Sequence, residues 1–367
     1  MTPVLYFGLF AISFDFISGY TGYLSFGHAV FYGAGAYLII LIANGKIPLL
    51  AAGTPFMISL VFAAVLAAVI AVLIGLVSFR LTGVYFAMIT LGFAQVAYVL
   101  MRDWDYVAVA PRDGPAVSSQ THPTGFEIGI PYVDSLNFAI GELYGSGLAG
   151  FLGVFDLSST VVSFYMIGAV VLVCYLAMQR IIHSPFGRVM IAIRENEERA
   201  RAIGYNTYYY KLVAFAFSGA FAGIAGGLLA GYRRSVTPED TFFFLATGDA
   251  LLSSIIGGLG TLAGPLYGRL FQEGLGEFLS KEGAGGGLLP LLQAGLSEGI
   301  LQFSLLGMTI EGMIDAFLNG HASLYVGIVF VLFVLYVPHG LLGTLREQLG
   351  GKLATVVSDR LFGGDRS

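Results

Sequence analysis

The feature that most constrains this chain is a succession of apolar blocks of about twenty residues. Each is long enough to cross the hydrocarbon core of a bilayer as a helix. They lie near residues 4–18, 24–43, 56–79, 83–101, 160–182, 212–231, 246–270, 288–306 and 322–342. Of the 367 residues 56% are hydrophobic and 11% charged, where a soluble domain carries about 25% charged residues. Helices satisfy their own backbone groups in lipid. The reading is therefore an all-α, polytopic integral membrane protein with about nine transmembrane helices, give or take about one. The block at 246–270 contains Gly257-Gly258-Leu259-Gly260 and then Gly264-Pro265, which interrupt a helix. At least one span is thus expected to be broken or re-entrant, with its freed backbone groups held by protein or a water-filled cavity.

One polar island stands between two of the blocks. Six of the 18 Lys and Arg residues (Arg180, Arg188, Arg194, Arg199, Arg201, Lys211) fall between Arg180 and Lys211, interleaved with Glu195, Glu197 and Glu198. A short basic loop is cytoplasmic by the positive-inside rule, so residues 184–211 are placed there. The tail after Leu342, with Arg346, Lys352, Arg360 and Arg366, is placed on the same side. The acidic stretch 102–159 then faces outward, and so does the N-terminus; Arg233 and Arg234 run against the rule. The chain reads as a single transmembrane domain over 1–345 and a cytoplasmic tail over 346–367.

Several function classes are excluded. No basic face suits nucleic acid. Cys174 is the only cysteine, which rules out disulfides and cysteine-rich metal sites. The sequence has no phosphate loop, no H-E-x-x-H and no G-x-S-x-G, so no catalytic residue, metal site or bound cofactor is expected. No basic region precedes the first apolar block, which is expected to serve as its own insertion signal.

Polar residues inside the blocks are candidates for a translocation pathway. Asp15 reads as a pathway group, as the partner of a buried cation, or as a residue at the membrane boundary. Ser25 and His28 lie in a Gly-rich stretch, 19–29, that reads as a bend or re-entrant segment. His28 suits either a structural hydrogen bond or a ligand contact. Thr90 and Gln95 need partners within protein, and Asp249 precedes the broken segment. Gly219, Gly223, Gly227 and Gly231 form a smooth ridge for close helix approach. Gly260, Gly264 and Gly268 repeat that spacing, and either set could also serve as a moving contact.

Together the motifs resemble a known family. Glu198-Arg199-Ala200-Arg201-Ala202-Ile203-Gly204 is similar to the Glu-Ala-Ala-x-x-x-Gly element of ABC importer permeases, with Arg199 in place of the first alanine. Ser184-Pro185-Phe186-Gly187-Arg188, Ala192 to Glu197 and Ala202 to Asn206 resemble the branched-chain amino acid permeases, and within them the second of the two paired membrane subunits. So do Gly19 to Ala29, Gly83 to Leu91, Gly257 to Pro265 and Tyr336 to Gly343. The family usually has one more apolar span before the first one here and an Asn where Asp15 stands. The stretch 273–321 resembles an insertion.

The resemblance implies a permease in the bacterial cytoplasmic (inner) membrane, C-terminus inside. It implies a sister membrane permease, two cytoplasmic ATPase subunits that bind ATP and Mg, and a periplasmic solute-binding protein as partners. Branched-chain amino acids are the implied solute; urea or short amides are alternatives. A stand-alone secondary transporter or channel is the rival class, and a purely structural membrane scaffold a third. The resemblance implies that Arg194, Glu195, Glu198, Ala200, Arg201, Ile203 and Gly204 form the ATPase-coupling loop. In it Glu198 and Arg201 sit at i,i+3, Ile203 is an apolar anchor and Gly204 ends the helix.

Overall fold

The computed structural model describes residues 1–48, 50, 54–117, 159–279 and 322–337, with short pieces at 127–128, 138–139, 304–305, 308–309, 340–341 and 343–344. Twelve helices are named here: α1 Thr2–Thr21, α2 His28–Ala43, α3 Phe56–Ser78, α4 Val84–Asp103, α5 Ser159–Ile182, α6 Pro185–Glu195, α7 Glu197–Ala202, α8 Thr207–Arg233, α9 Pro238–Thr241, α10 Phe244–Gly257, α11 Gly264–Leu279 and α12 Ala322–Tyr336. Strand structure among the described residues is confined to two antiparallel ladders of two-residue strands, Glu127–Ile128 with Phe138–Ala139 and Ser304–Leu305 with Met308–Thr309.

α1 is the axis of the bundle. It is apolar all round, as a helix enclosed by protein is, and Leu9 to Ile17 are buried without interruption. α5, α6, α8, α10 and α11 pack directly on it. α8 in turn lies against α2 and α3. The Gly ridge makes that approach possible: Gly219 and Gly223 face Ala71, Ala67 and Ala63 of α3, Gly227 faces Leu60 and Ile39, and Gly231 faces Phe56. On the side of α8 toward α2, a β-carbon at Gly226 would overlap the Tyr32 carbonyl.

Six helical segments among the described residues are long and apolar enough to cross a membrane, the sixth being Pro238–Gly257, formed by α9 and α10, and α2 is a shorter apolar helix of 16 residues. The sequence suggested about nine; of the blocks not counted in the six, the one at 322–342 is described as α12, of 15 residues. The block at 24–43 begins as helix only at His28, because Gly22 takes φ +79° and closes α1 with its amide on Ser18 O, 3.1 Å away. The block at 246–270 is two helices folded back on each other, since Gly258 and Gly260 adopt positive φ. Ser253 Oγ of α10 lies 2.9 Å from Gln272 Oε1 of α11. The block at 288–306 lies outside the described residues except for 304–305. α11 runs through Leu279, so the first residues of the 273–321 stretch are helical; most of the remainder, like most of 118–158, lies outside the described residues.

The helix ends gather at two poles. At one, the α1–α2 turn, the α3–α4 turn, α6, α7 and the α10–α11 turn meet. At the other, Asn44 and Lys46 bond to the backbone of Ala116 and of Tyr106 and Val107, and Arg233 pairs with Asp240 at 3.2 Å.

Candidate coupling site

The polar island folds as two helices set at an angle. Ser184 caps α6, its Oγ accepting from Gly187 N at 3.4 Å, with Pro185 at the first helical position; proline suits that place because the amide there has no helical partner. α6 ends at Asn196, which is extended (φ −162°, ψ 102°) and caps α7 in turn, its Oδ1 accepting from Arg199 N at 2.8 Å. α7 spans only Glu197–Ala202, and Gly204 follows with φ +98°, a conformation costly for residues that carry a β-carbon. Val189, Ile193 and Ala200 form a small apolar cluster beneath the two helices, with Tyr210 packed against it.

Glu197 fastens α7 to the bundle. Its Oε1 accepts from Lys211 Nζ at 2.8 Å, Thr207 Oγ1 at 3.0 Å and Arg201 Nη2 at 3.1 Å; its Oε2 accepts from the Tyr23 hydroxyl at 2.6 Å. Lys211 is 3% exposed. Its ammonium also donates to Tyr23 Oη at 2.9 Å and lies 4.5 Å from the centre of the Tyr23 ring, a cation–π arrangement. The Tyr23 ring meets Phe79 and Phe86 edge-on, and Phe79 stacks on Phe86 at 4.9 Å. One carboxylate thus joins α7 to the start of α8 and the α1–α2 turn, and the Tyr23 ring carries the contact on to the α3–α4 turn. Burial would raise the Glu197 carboxyl, but the hydrogen bonds from Lys211 and Tyr23 outweigh it and hold its pKa below the ordinary 4.5. Burial, and then the hydrogen bond to Glu197, push the Tyr23 hydroxyl up.

A second clasp lies beside the first. Arg194, at the end of α6, donates through Nη1 to the Gly19 carbonyl near the end of α1. Its side chain also lies against Gly22 and Gly260. The Gly260 amide, at the tip of the α10–α11 turn, donates to Asp15 Oδ1 at 3.0 Å and Oδ2 at 3.2 Å. Asp15 is fully buried. α6 therefore touches both the central helix and the tip of the hairpin.

The structure redistributes several of the residues singled out in the sequence. Arg201 pairs with Glu197, not Glu198, because α7 begins at Glu197 and turns that residue inward. Glu195 and Glu198 are exposed, Ala200 is buried and Ile203 is 68% exposed. Ser25 and His28 are fully buried. The 19–29 stretch is a turn whose amides are engaged: Phe26 N donates to Thr90 Oγ1 at 3.2 Å and Ala29 N to Thr247 Oγ1 at 2.9 Å. His28 Nε2 lies 2.6 Å from Ser218 Oγ, which itself donates to the Ser13 carbonyl, so Nε2 carries the proton. Phe10, Phe14, Phe31 and Phe215 surround the imidazole, which makes it a brace among α1, α2 and α8. Gln95 and Asp249 are exposed on the outer faces of α4 and α10. Gly260 lies in the α10–α11 turn, and Gly264 begins α11 against Gly257 and Gly258, so neither belongs to a ridge along one continuous helix.

Sequence reasoning passed over Glu197, Lys211 and Tyr23. A lone lysine at the mouth of an apolar block was a usable signal, because a buried cation calls for an anion.

A profile of the family described as "Branched-chain amino acid transport system / permease component" matches residues 1–275. The chain belongs to this family. The permease is 28% identical over 352 residues to the high-affinity branched-chain amino acid transport system permease protein LivM of Escherichia coli strain K12, covering 95% of this chain and 70% of that one. It is 27% identical over 350 residues to LivM of Salmonella typhimurium, with the same coverage. A shorter likeness, 30% over 145 residues, covers 39% of the permease and 42% of the autoinducer 2 import system permease protein LsrC of Photorhabdus laumondii. No solved structure matches.

Proposed function

We propose that the chain is the membrane permease subunit of an ABC importer for branched-chain amino acids. It forms the pathway with a sister permease, receives solute from a periplasmic binding protein and is driven by two cytoplasmic ATPase subunits that bind ATP and Mg. It resides in the bacterial inner membrane with α6 and α7 on the cytoplasmic side. The family match over residues 1–275 carries this reading.

The geometry supports the coupling role of residues 184–211. An ATPase gripping the exposed outer surface of α6 and α7, where Glu195, Glu198 and Ile203 stand, pulls on two attachments. Glu197 transmits displacement to α8 and the α1–α2 turn, and Arg194 transmits it to α1 and the hairpin tip. A short helix held at both points moves as a rigid lever between two arrangements of the bundle. Glu198→Lys reverses an exposed charge, and Gly204→Asp strains the turn after α7. Each leaves the chain in the membrane and uncouples leucine uptake from ATP hydrolysis in vesicles carrying the whole importer. Normal coupling in both variants rejects α7 as the coupling element.

The solute assignment is tested separately by direct binding of leucine, isoleucine and valine to the binding protein that works with this permease.

A further inference from the structure

α10 packs on α1, where Ser254 Oγ donates to the Ala11 carbonyl at 3.4 Å, and on α11, which Ser253 and Gly257 face; these three residues and Ala250 are buried. Its other face is apolar except at one position. Leu245 is 57% exposed, Asp249 is exposed and Leu252 is half-buried. At i−4 and i+3 the two leucines flank the carboxylate on a single helix face. Asp249 stands eight residues before the hairpin turn, about 12 Å along the helix at 1.5 Å per residue, well away from the pole. A carboxylate at such depth is costly against hydrocarbon, so it faces water or a cation.

The neighbouring charges do not neutralise it. Arg269 and Glu273 of α11 are the charged groups that act on Asp249, but Arg269 is bound to Glu273 at 2.7 Å and covers the Phe7 ring at 4.2 Å. Among the described residues no hydrogen bond or ion pair reaches the Asp249 carboxylate. The patch therefore holds two carboxylates against one guanidinium, with aliphatic surface on either side of the free one. That combination suits an ammonium group attached to an aliphatic side chain.

We propose that Asp249 lines the translocation pathway on the exposed α10 face and binds the ammonium group of the passing amino acid, with Leu245 and Leu252 against its side chain. This rests on the reading of the chain as an amino-acid permease. The test uses the complete importer in proteoliposomes. Asp249→Asn lowers leucine uptake about tenfold, the loss of a charge-assisted contact, and Asp249→Glu restores much of it, while both still purify with the sister permease. Uptake unchanged in Asp249→Asn overturns the proposal. Loss of the sister permease from the purified complex also overturns it, since Asp249 is then a pairing charge between subunits.

A second measurement does not depend on the solute. In a Cys174→Ser background, Asp249→Cys is treated with cationic aminoethyl and anionic sulfonatoethyl methanethiosulfonate. A water-filled pathway at this face predicts that both charged reagents reach the introduced thiol and that leucine slows the reaction. Reaction only with a membrane-soluble maleimide overturns the proposal. If the charged reagents react but leucine neither protects nor is carried by the wild-type importer, the solute reading alone fails.

Discussion

Lys211 and Glu197 meet at 2.8 Å with the lysine 3% exposed, and their union anchors a surface helix to the interior of a membrane bundle. The two partners are unequal. Glu197 has three further donors in Tyr23, Thr207 and Arg201. Lys211 has, besides Glu197, the Tyr23 oxygen and the faces of Tyr23 and Phe79.

That inequality predicts an asymmetric response. Glu197→Ala strands a buried ammonium and costs on the order of 3 kcal/mol. Lys211→Met leaves the carboxylate with three donors and costs less. The double variant is more stable than Glu197→Ala alone, because the unpaired charge is gone. Thermal unfolding of the purified permease in detergent orders the three, and equal midpoints for the two single variants reject the assignment.

The same carboxylate sets a pH dependence. The folded pKa of Glu197 lies below its ordinary 4.5, so its contribution to stability is fully present above that value. It is lost as pH falls through the depressed one. The gap in melting temperature between wild type and Glu197→Gln is therefore flat from pH 8 down to about 5 and closes in more acidic buffer. A gap that already closes between about pH 8 and 6 assigns the titration to another group.

How much of this was legible follows from where each signal resides. The apolar blocks located the long helices because lipid demands a continuous apolar length, and the ridge from Gly219 to Gly231 was visible because its spacing is a property of one helix. The phase of α7 was not visible. Whether Glu197 or Glu198 points inward depends on the break at Asn196, whose extended conformation comes from how α6 and α7 seat on α8. Tyr23 and Lys211 are 188 residues apart, and only the packed bundle brings them to one carboxylate. The fold-back at 258–263 was half visible: glycines announced a break, but not that α11 returns along α10.

Close backbone approach yields a size rule. At Gly226 a side chain meets the Tyr32 carbonyl, while at Gly248 no described residue lies within 4 Å. Gly226→Val forces α8 away from α2 and costs about 3 kcal/mol or prevents folding. Gly248→Ala is neutral or stabilises slightly, since alanine is the better helix former. Membrane yield and melting temperature compare the two, and a stable Gly226→Val contradicts the described packing of α2 on α8.

The clasp at Asp15 separates the role of a charge from that of an acceptor. The carboxylate takes the Gly260 amide at 3.0 and 3.2 Å in a fully buried setting. Asparagine keeps one acceptor at the same place, whereas leucine leaves a buried amide unpaired at a cost of about 1–3 kcal/mol. Asp15→Asn is therefore expected to melt close to wild type and to retain uptake, and Asp15→Leu to lose stability and loosen the hairpin tip that Arg194 touches. Hydrogen exchange at residues 258–263 reports the loosening directly. If Asp15→Asn proves as damaging as Asp15→Leu, the charge itself is required, and the attraction between Asp15 and Arg194, not the hydrogen bond, holds α6 to the hairpin.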